Sequence, residues 1–163
     1  MQNALKVICI LLYSHSAVMH EYFRPVSVIV NDLTPIFVAI YAGNQAKVDF
    51  NFNNYSTKNE VLSAVDRIRY LRENTNTTGG LKVTRQEVFG GNYRQRPDVE
   101  RLIILLTDGE PTKDVDQLDN EVAALKRMGI RIIGLGVTNK VMVDALLLLL
   151  HTHYEIVHKV QNR

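Results

Sequence analysis

The chain has 163 residues, of which 46% are hydrophobic and 22% are charged, and its formal net charge is +2. This length suits one domain with a continuous core, so we expect residues 1–163 to form a single domain. The mixed, near-neutral composition excludes a disordered tail and a strongly basic nucleic-acid-binding protein, and no segment has the roughly 20 apolar residues of a membrane-spanning helix.

The N-terminal segment contains a short apolar run, Val7 to Leu12, that predicts a buried strand of a parallel sheet. A second interpretation stays open, because a preceding lysine and the small residues Ser14 and Ser16 are also typical of a secretory signal peptide. The run contains Cys9, the single cysteine, so the chain forms no internal disulfide. Apolar residues at helical spacing then predict a helix over residues 24–33.

A hairpin and a helix are predicted next. Ile36 to Tyr41 (IFVAIY) predicts a second strand, and turn residues at 42–45 lead into the alternating stretch AKVDFNF, which predicts an antiparallel edge strand. Residues 56–60 (STKNE) provide a helix cap followed closely by a glutamate. The apolar residues that follow predict a helix that continues through Leu71.

Two further helices flank a central strand. The stretch LKVTRQEVF (81–89) predicts a short helix that ends at Gly90-Gly91, and Ile103 to Leu106 predicts a buried strand. The next helix is predicted to be capped by Thr112 and to end at Gly129. Its predicted apolar face comprises Val115, Leu118, Val122 and Leu125.

The C-terminal third continues the alternation of strands and helices. Residues 130–137 predict a strand, 140–150 a helix and 154–160 a last strand. Such alternation is typical of an α/β fold with a doubly wound, mainly parallel sheet, one antiparallel edge strand and helices on both faces.

The central strand leads directly into an acidic residue, Asp108, in the stretch TDGEP. In an open parallel sheet, ligands bind beyond the carboxyl ends of the strands, where the strand order reverses. An ionised carboxylate at that place needs solvent, hydrogen bonds or a cation. Two interpretations stay open: Asp108 binds a metal or phosphate group, or it accepts backbone N–H groups of the loop from Glu110 onward.

Four blocks of the sequence resemble successive segments of the von Willebrand factor type A domain, most closely the extracellular-matrix branch found in matrilins and type VI collagen. The blocks are NNYSTKNEVLSAVDRIRYL, NTNTTGGL, RPDVERLIILLTDGEPTKDV and ALKRMGIRIIGLGVTN. The resemblance implies the doubly wound fold and a non-enzymatic, extracellular binding module. It also implies a metal-ion-dependent adhesion site (MIDAS), where oxygen ligands from three loops hold Mg²⁺ and an acidic side chain of the partner completes the shell. The implied partners are extracellular-matrix or cell-surface proteins, collagen among them.

Carried onto this sequence, the resemblance places two metal ligands on Thr77 and Asp108. The third loop reads Asp-x-Ser-x-Ser in the family, and the alignment that matches both serines to Ser14 and Ser16 puts Leu12 at the acid. The other alignment puts Tyr13 there. Neither side chain supplies a carboxylate, so we expect a degenerate site whose affinity for Mg²⁺ is much weakened or lost.

The same comparison predicts that the family's final helix is missing, because the chain ends at Arg163. Two N-glycosylation sequons, at Asn54 and Asn76, matter if the chain is secreted, and Asn54 is favoured because Asn76 adjoins the predicted metal site.

Three other functions remain open. They are a metal-independent structural copy of the fold, an intracellular scaffold, and an aspartyl phospho-acceptor enzyme. The enzyme needs more acids at neighbouring strand ends, where this chain has Tyr13 and His15.

Overall fold

Over the residues that the structure describes, the fold is built around a five-stranded sheet. The computed structural model describes residues 6–12, 36–42, 45–51, 54–68, 75–91, 100–107 and 111–136. The strands are β1 (Lys6–Leu12), β2 (Ile36–Ala42), β3 (Gln45–Phe50), β4 (Glu100–Thr107) and β5 (Arg131–Gly136). The helices are α1 (Lys58–Asp66), α2 (Thr77–Val83) and α3 (Leu118–Arg127). A π-helical segment, Thr84–Phe89, continues α2, and a 3₁₀ turn, Val115–Gln117, precedes α3.

The strands lie in the order β3-β2-β1-β4-β5. β1 is parallel to β2 and to β4, β4 is parallel to β5, and β3 runs antiparallel to β2. The chain therefore builds outward from β1 in one direction, then crosses to β4 and β5 on the other side. This arrangement confirms the predicted doubly wound α/β fold and places the reversal of strand order between β1 and β4.

The core is centred on β4, which is paired along both edges and covered on both faces. One face packs in a cluster with β3 and α1 that comprises Phe50, Ala64, Val65, Leu102, Ile104 and Leu106. On the opposite face, Ile103 and Leu105 are 0% and 2% exposed. Because burial of each such side chain contributes roughly 1.5–3 kcal/mol, β4 holds the sheet and helices together.

The predicted hairpin is present, and β3 lies at one edge of the sheet. Its alternating pattern turns Phe50 into the core, where the ring meets Tyr55 edge to face with centroids 5.1 Å apart. Lys47 and Asp49 occupy the alternate, exposed positions of β3, and they form an ion pair in which Nζ and Oδ1 are 3.7 Å apart. Charged side chains on an edge strand discourage pairing with other chains.

A capping box starts α1 as predicted. The Thr57 hydroxyl accepts the backbone N–H of Glu60, and the Glu60 carboxylate accepts the N–H groups of Ser56 and Thr57. These backbone hydrogen bonds lower the pKa of Glu60. Their contribution to stability is therefore present above the ordinary pKa of glutamate and is lost as the pH falls through the lowered value.

The predicted continuation of α1 toward Leu71 is wrong, since the helix ends at Asp66. The N–H groups of Arg67 and Ile68 donate to carbonyls three residues back, which tightens the last turn. Ile68 still packs against the core cluster. The apolar pattern thus correctly predicted that Ile68 contacts the core, although the backbone at Ile68 is not helical.

The helix predicted over 81–89 begins earlier, at Thr77. Asn76 caps it, because its Oδ1 accepts the N–H of Gly79 at 2.9 Å. The helix therefore starts within the polar segment before Leu81, and the predicted stop at Gly90 is confirmed.

The start of α3 also differs from the prediction. Asp114 adopts a left-handed conformation with φ of 48°, and the chain passes through the 3₁₀ turn before α3 begins at Leu118. Val115 is consequently 52% exposed and lies outside the apolar face, whereas Leu118, Val122 and Leu125 are buried as predicted. The predicted stop is confirmed at Gly129, whose φ of 72° suits glycine.

Some predictions fall on other parts of the chain. The helices predicted over 24–33 and 140–150 and the strand predicted over 154–160 lie outside the described residues. Within the described ranges, no helix combines the length and apolar character that a membrane span requires.

We expect Thr57→Ala to lower the free energy of unfolding by about 1 kcal/mol, because the N–H of Glu60 loses its acceptor. Urea unfolding monitored by circular dichroism measures the change. Thr57→Ser keeps a hydroxyl acceptor and serves as the matched control. Equal stability of the alanine and serine variants would show that the capping bond contributes nothing.

Candidate metal centre at the carboxyl edge of the sheet

The reversal of strand order brings two strand ends together. In the register of the sheet, Leu12 of β1 pairs with Leu106 of β4, so the two parallel strands end level with each other. The loops that follow them leave from neighbouring points, the usual position of a ligand site in such a sheet. The predicted ligands Ser14, Ser16 and Asp108 follow these strand ends in sequence but lie outside the described residues.

The N-terminus of α2 is tied to the segment that leaves β4. The backbone N–H and the hydroxyl of Thr112 both donate to the carbonyl oxygen of Thr75, at 3.0 and 3.3 Å. The Thr78 hydroxyl donates to the carbonyl oxygen of Asp114 at 2.9 Å. We call these three hydrogen bonds the threonine clasp. The clasp places the predicted ligand Thr77 beside the chain that connects β4 to α3.

The predicted role of Thr112 as the cap of α3 is therefore wrong, because its N–H and hydroxyl both bond to Thr75. The partners are 37 residues apart, and nothing in the local sequence pattern of either segment indicates such a contact. Sequence reasoning also missed Thr78 and Asp114, for which the order of polar residues gives no signal.

Thr77 has the side-chain environment expected of a metal ligand. It is 2% exposed, and its Oγ1 atom is buried without a hydrogen-bond partner among the described residues. A buried hydroxyl left unpaired costs about 1–3 kcal/mol, so a native protein that keeps one needs a reason for it. Hydroxyl oxygen is a suitable ligand for Mg²⁺, which takes oxygen ligands in octahedral order. The Thr77 oxygen therefore fits a divalent cation.

The cap residue beside Thr77 is held in a tight position. A Cβ atom on Gly79 would lie 2.6 Å from the Oδ1 atom of Asn76, which is itself only 3% exposed. The absence of a side chain at Gly79 thus allows the Asn76 amide to cap the helix. This local fit fixes the backbone from which the Thr77 side chain projects.

A second contact positions the far end of the same helical unit. Arg85, in the π-helical segment, donates from Nε and Nη2 to the two carboxylate oxygens of Glu121 on α3, at 2.7 and 3.1 Å. Both side chains are partly buried, and the hydrogen bond to Glu121 raises the pKa of Arg85. Together with the threonine clasp, this ion pair fixes α2 against α3 at two places.

The loop after β1 is the weak part of the candidate centre. Between Leu12 and Ala17 the sequence offers two serines and no aspartate or glutamate. Within the described ranges, no group of three or more histidine, cysteine, aspartate or glutamate side chains is placed to hold a metal ion. The donor set that the sequence predicts for this centre is one carboxylate, from Asp108, and the hydroxyl oxygens of Thr77, Ser14 and Ser16.

Comparisons with a family model and with individual proteins point to the same family. A model of the von Willebrand factor type A domain matches residues 21–162. The Homo sapiens collagen alpha-1(XX) chain is 35% identical over 112 residues, which make up 66% of this chain and 8% of that protein. Gallus gallus matrilin-3 is 33% identical over 107 residues, or 64% of this chain and 23% of that protein. The chain thus spans less than a quarter of either relative.

Solved structures show the same fold. Proximal thread matrix protein 1 from the mussel byssus, with a zinc-occupied MIDAS motif, superposes with a TM-score of 0.73 at 18% sequence identity. The match covers 90% of this chain and 41% of that chain. At this level of identity the likeness establishes the architecture.

We expect Thr77→Val to leave the free energy of unfolding unchanged in the presence of a chelator, or to raise it by up to about 1–3 kcal/mol, since an unpaired buried hydroxyl is replaced by a methyl group. Thr78→Val is the matched control, and it should lose about 1 kcal/mol with its hydrogen bond to Asp114. Urea unfolding of both variants measures the effect. If both variants lost the same stability, the Thr77 hydroxyl would have a partner in the folded protein.

Proposed function

The chain belongs to the von Willebrand factor type A domain family, and from this premise we propose that it is a non-enzymatic, extracellular protein-binding module. Its relatives include a collagen chain and a matrilin, which supports a role in the matrix or at the cell surface. We propose that residues 1–163 act as one domain whose partners are matrix or cell-surface proteins, collagen among them.

We further propose that the carboxyl edge of the sheet holds a divalent cation weakly or not at all. The ligands available to Mg²⁺ are Thr77 and Asp108, with Ser14 and Ser16 from the loop after β1. Support for Thr77 as a ligand comes from its buried oxygen, which has no hydrogen-bond partner among the described residues. The observation that carries the expected weakness is the absence of an aspartate or glutamate between Leu12 and Ala17. Without an acidic residue in the loop after β1, we expect the affinity of the site for Mg²⁺ to be low.

Charge explains the expected weakness. A site with two carboxylates neutralises the charge of a divalent cation, whereas Asp108 alone leaves one positive charge unbalanced. Mg²⁺ gives up its bound water reluctantly and demands near-ideal octahedral geometry. Neutral hydroxyl groups do not replace the negative charge of the absent second carboxylate. Recognition of a partner then depends on shape, hydrogen bonds and surface charge more than on a shared metal ion.

A purely structural copy of the fold is the alternative within the same family. Such a copy would contribute spacing or stability to a larger protein without contacting a partner. The two differ in one observable property, which is direct binding to a matrix protein.

Calorimetric titration with Mg²⁺ and Mn²⁺ tests the metal proposal. We expect the unaltered chain to release little or no heat, and Tyr13→Asp or Leu12→Asp to bind at least about tenfold more tightly, a gain of about 1.4 kcal/mol, because one of them restores the second carboxylate. The variant that gains affinity identifies the correct alignment of the loop. The isosteric amide variants Tyr13→Asn and Leu12→Asn are matched controls that lack the charge.

Adding Thr77→Val to the restored variant should remove the gained affinity. Tight Mg²⁺ binding by the unaltered chain, with no further gain from either aspartate, would contradict the proposal.

Binding to immobilised collagen in Mg²⁺ and in chelator tests the partner proposal. We expect the unaltered chain to bind equally in both conditions, and the restored aspartate variant to add a component that the chelator removes. Surface plasmon resonance measures both. Loss of the unaltered chain's binding in chelator would show a working metal centre, and no binding to any matrix protein would favour the structural copy.

A further inference from the structure

We propose that Asn54 carries an N-linked glycan and that Asn76, the second sequon asparagine, does not. This inference rests on the extracellular location proposed above, since N-glycosylation takes place in the secretory pathway. Asn54 belongs to the turn after β3, whereas Asn76 adjoins the candidate metal centre.

Asn54 is presented for modification. It is exposed, and it lies in the turn that links β3 to α1. Its Oδ1 atom accepts the backbone N–H of Asn51 at 2.8 Å, while its own N–H donates to the carbonyl oxygen of Asn51 at 3.0 Å. The amide oxygen is thus the bonded atom, and this hydrogen bond does not engage the nitrogen, which receives the sugar. N-glycans are bulky and belong on such surfaces.

The other two residues of the sequon suit a folded, glycosylated turn. Tyr55 anchors the turn through its edge-to-face contact with Phe50. Ser56 is exposed, and its bond to Glu60 uses the backbone N–H and leaves the hydroxyl out of the capping box. A glycan on Asn54 therefore requires no change in the start of α1.

Asn76 has the opposite environment. Its side chain is 3% exposed, its Oδ1 atom caps α2, and its amide nitrogen would lie within 2.7 Å of a Cβ atom placed on Gly79. A sugar on that nitrogen would displace the cap and disturb the threonine clasp that holds the start of α2. A chain modified at Asn76 would therefore not reach this fold.

The position of Asn54 gives the glycan a physical role. The turn follows β3, the edge strand of the described sheet, and the bonds between Asn51 and Asn54 hold the attachment point close to the end of that strand. Unpaired strand edges template the addition of other chains. The glycan adds bulk beside an edge that the Lys47–Asp49 ion pair already protects by charge.

The test is secretion of the full chain from mammalian cells behind a cleavable signal sequence, followed by treatment with an N-glycosidase that converts glycosylated asparagine to aspartate. Peptide mass spectrometry then reads residues 54 and 76. The variant Ser56→Ala removes the first sequon while retaining Asn54 and every hydrogen bond described around it, and Ser56→Thr keeps the sequon.

We expect conversion at residue 54 in the unaltered chain and in Ser56→Thr, none in Ser56→Ala, and none at residue 76 in secreted protein. Ser56→Ala should also aggregate faster than Ser56→Thr at equal concentration, measured by light scattering. Secreted, folded protein without sugar at Asn54, or with sugar at Asn76, would overturn the inference. Neither result depends on collagen binding, so the proposed function is tested separately by the binding experiment.

Discussion

The burial of β4 on both faces is the constraint on which the rest of the structure depends. A strand that is paired along both edges and covered on both faces accommodates only apolar side chains. Residues 102–106 are accordingly all leucine or isoleucine, and all are buried. Polar groups that serve a ligand are therefore confined to the ends of the strand, where backbone and side chains regain access to solvent. Because β1 ends level with β4, the two loops that carry the predicted ligands begin side by side. The location of the candidate centre follows from the packing of the core.

In the candidate centre, the segment around Thr77 is held firmly by hydrogen bonds, whereas the loop after β1 lacks an acidic residue. The threonine clasp and the Asn76 cap hold the backbone around Thr77, and the Arg85–Glu121 ion pair fixes the same helical unit farther along. That arrangement keeps a buried oxygen ready at a cost in stability, which is the pattern expected where structure serves binding more than folding. The loop after β1 lacks the acid that would use this preparation fully. This missing acid is the basis of our proposal that recognition by the domain relies little on metal.

Within the described residues, sequence patterns predicted the five strands and most of the burial, because apolar runs and alternation indicate which side chains leave water. They located Leu118, Val122, Leu125 and the stop at Gly129 correctly. They failed where backbone geometry decides the outcome. The left-handed Asp114 delays α3 and exposes Val115, and the bond of Thr112 to Thr75 depends on a contact made only in the folded chain. The buried oxygen of Thr77, which has no hydrogen-bond partner in the described part of the chain, also required a structure, because burial and hydrogen bonding depend on the folded chain.

The threonine clasp has a mechanical consequence. It joins a segment that precedes β4 in the chain to one that follows it, so the two ends of the connection around the central strand are fastened together at the sheet edge. A load on the segment that follows β4 enters that strand through the covalent chain, and the clasp adds a second path, through hydrogen bonds, into the start of α2. The pull is therefore divided between the central strand and α2, which the Arg85–Glu121 pair holds against α3.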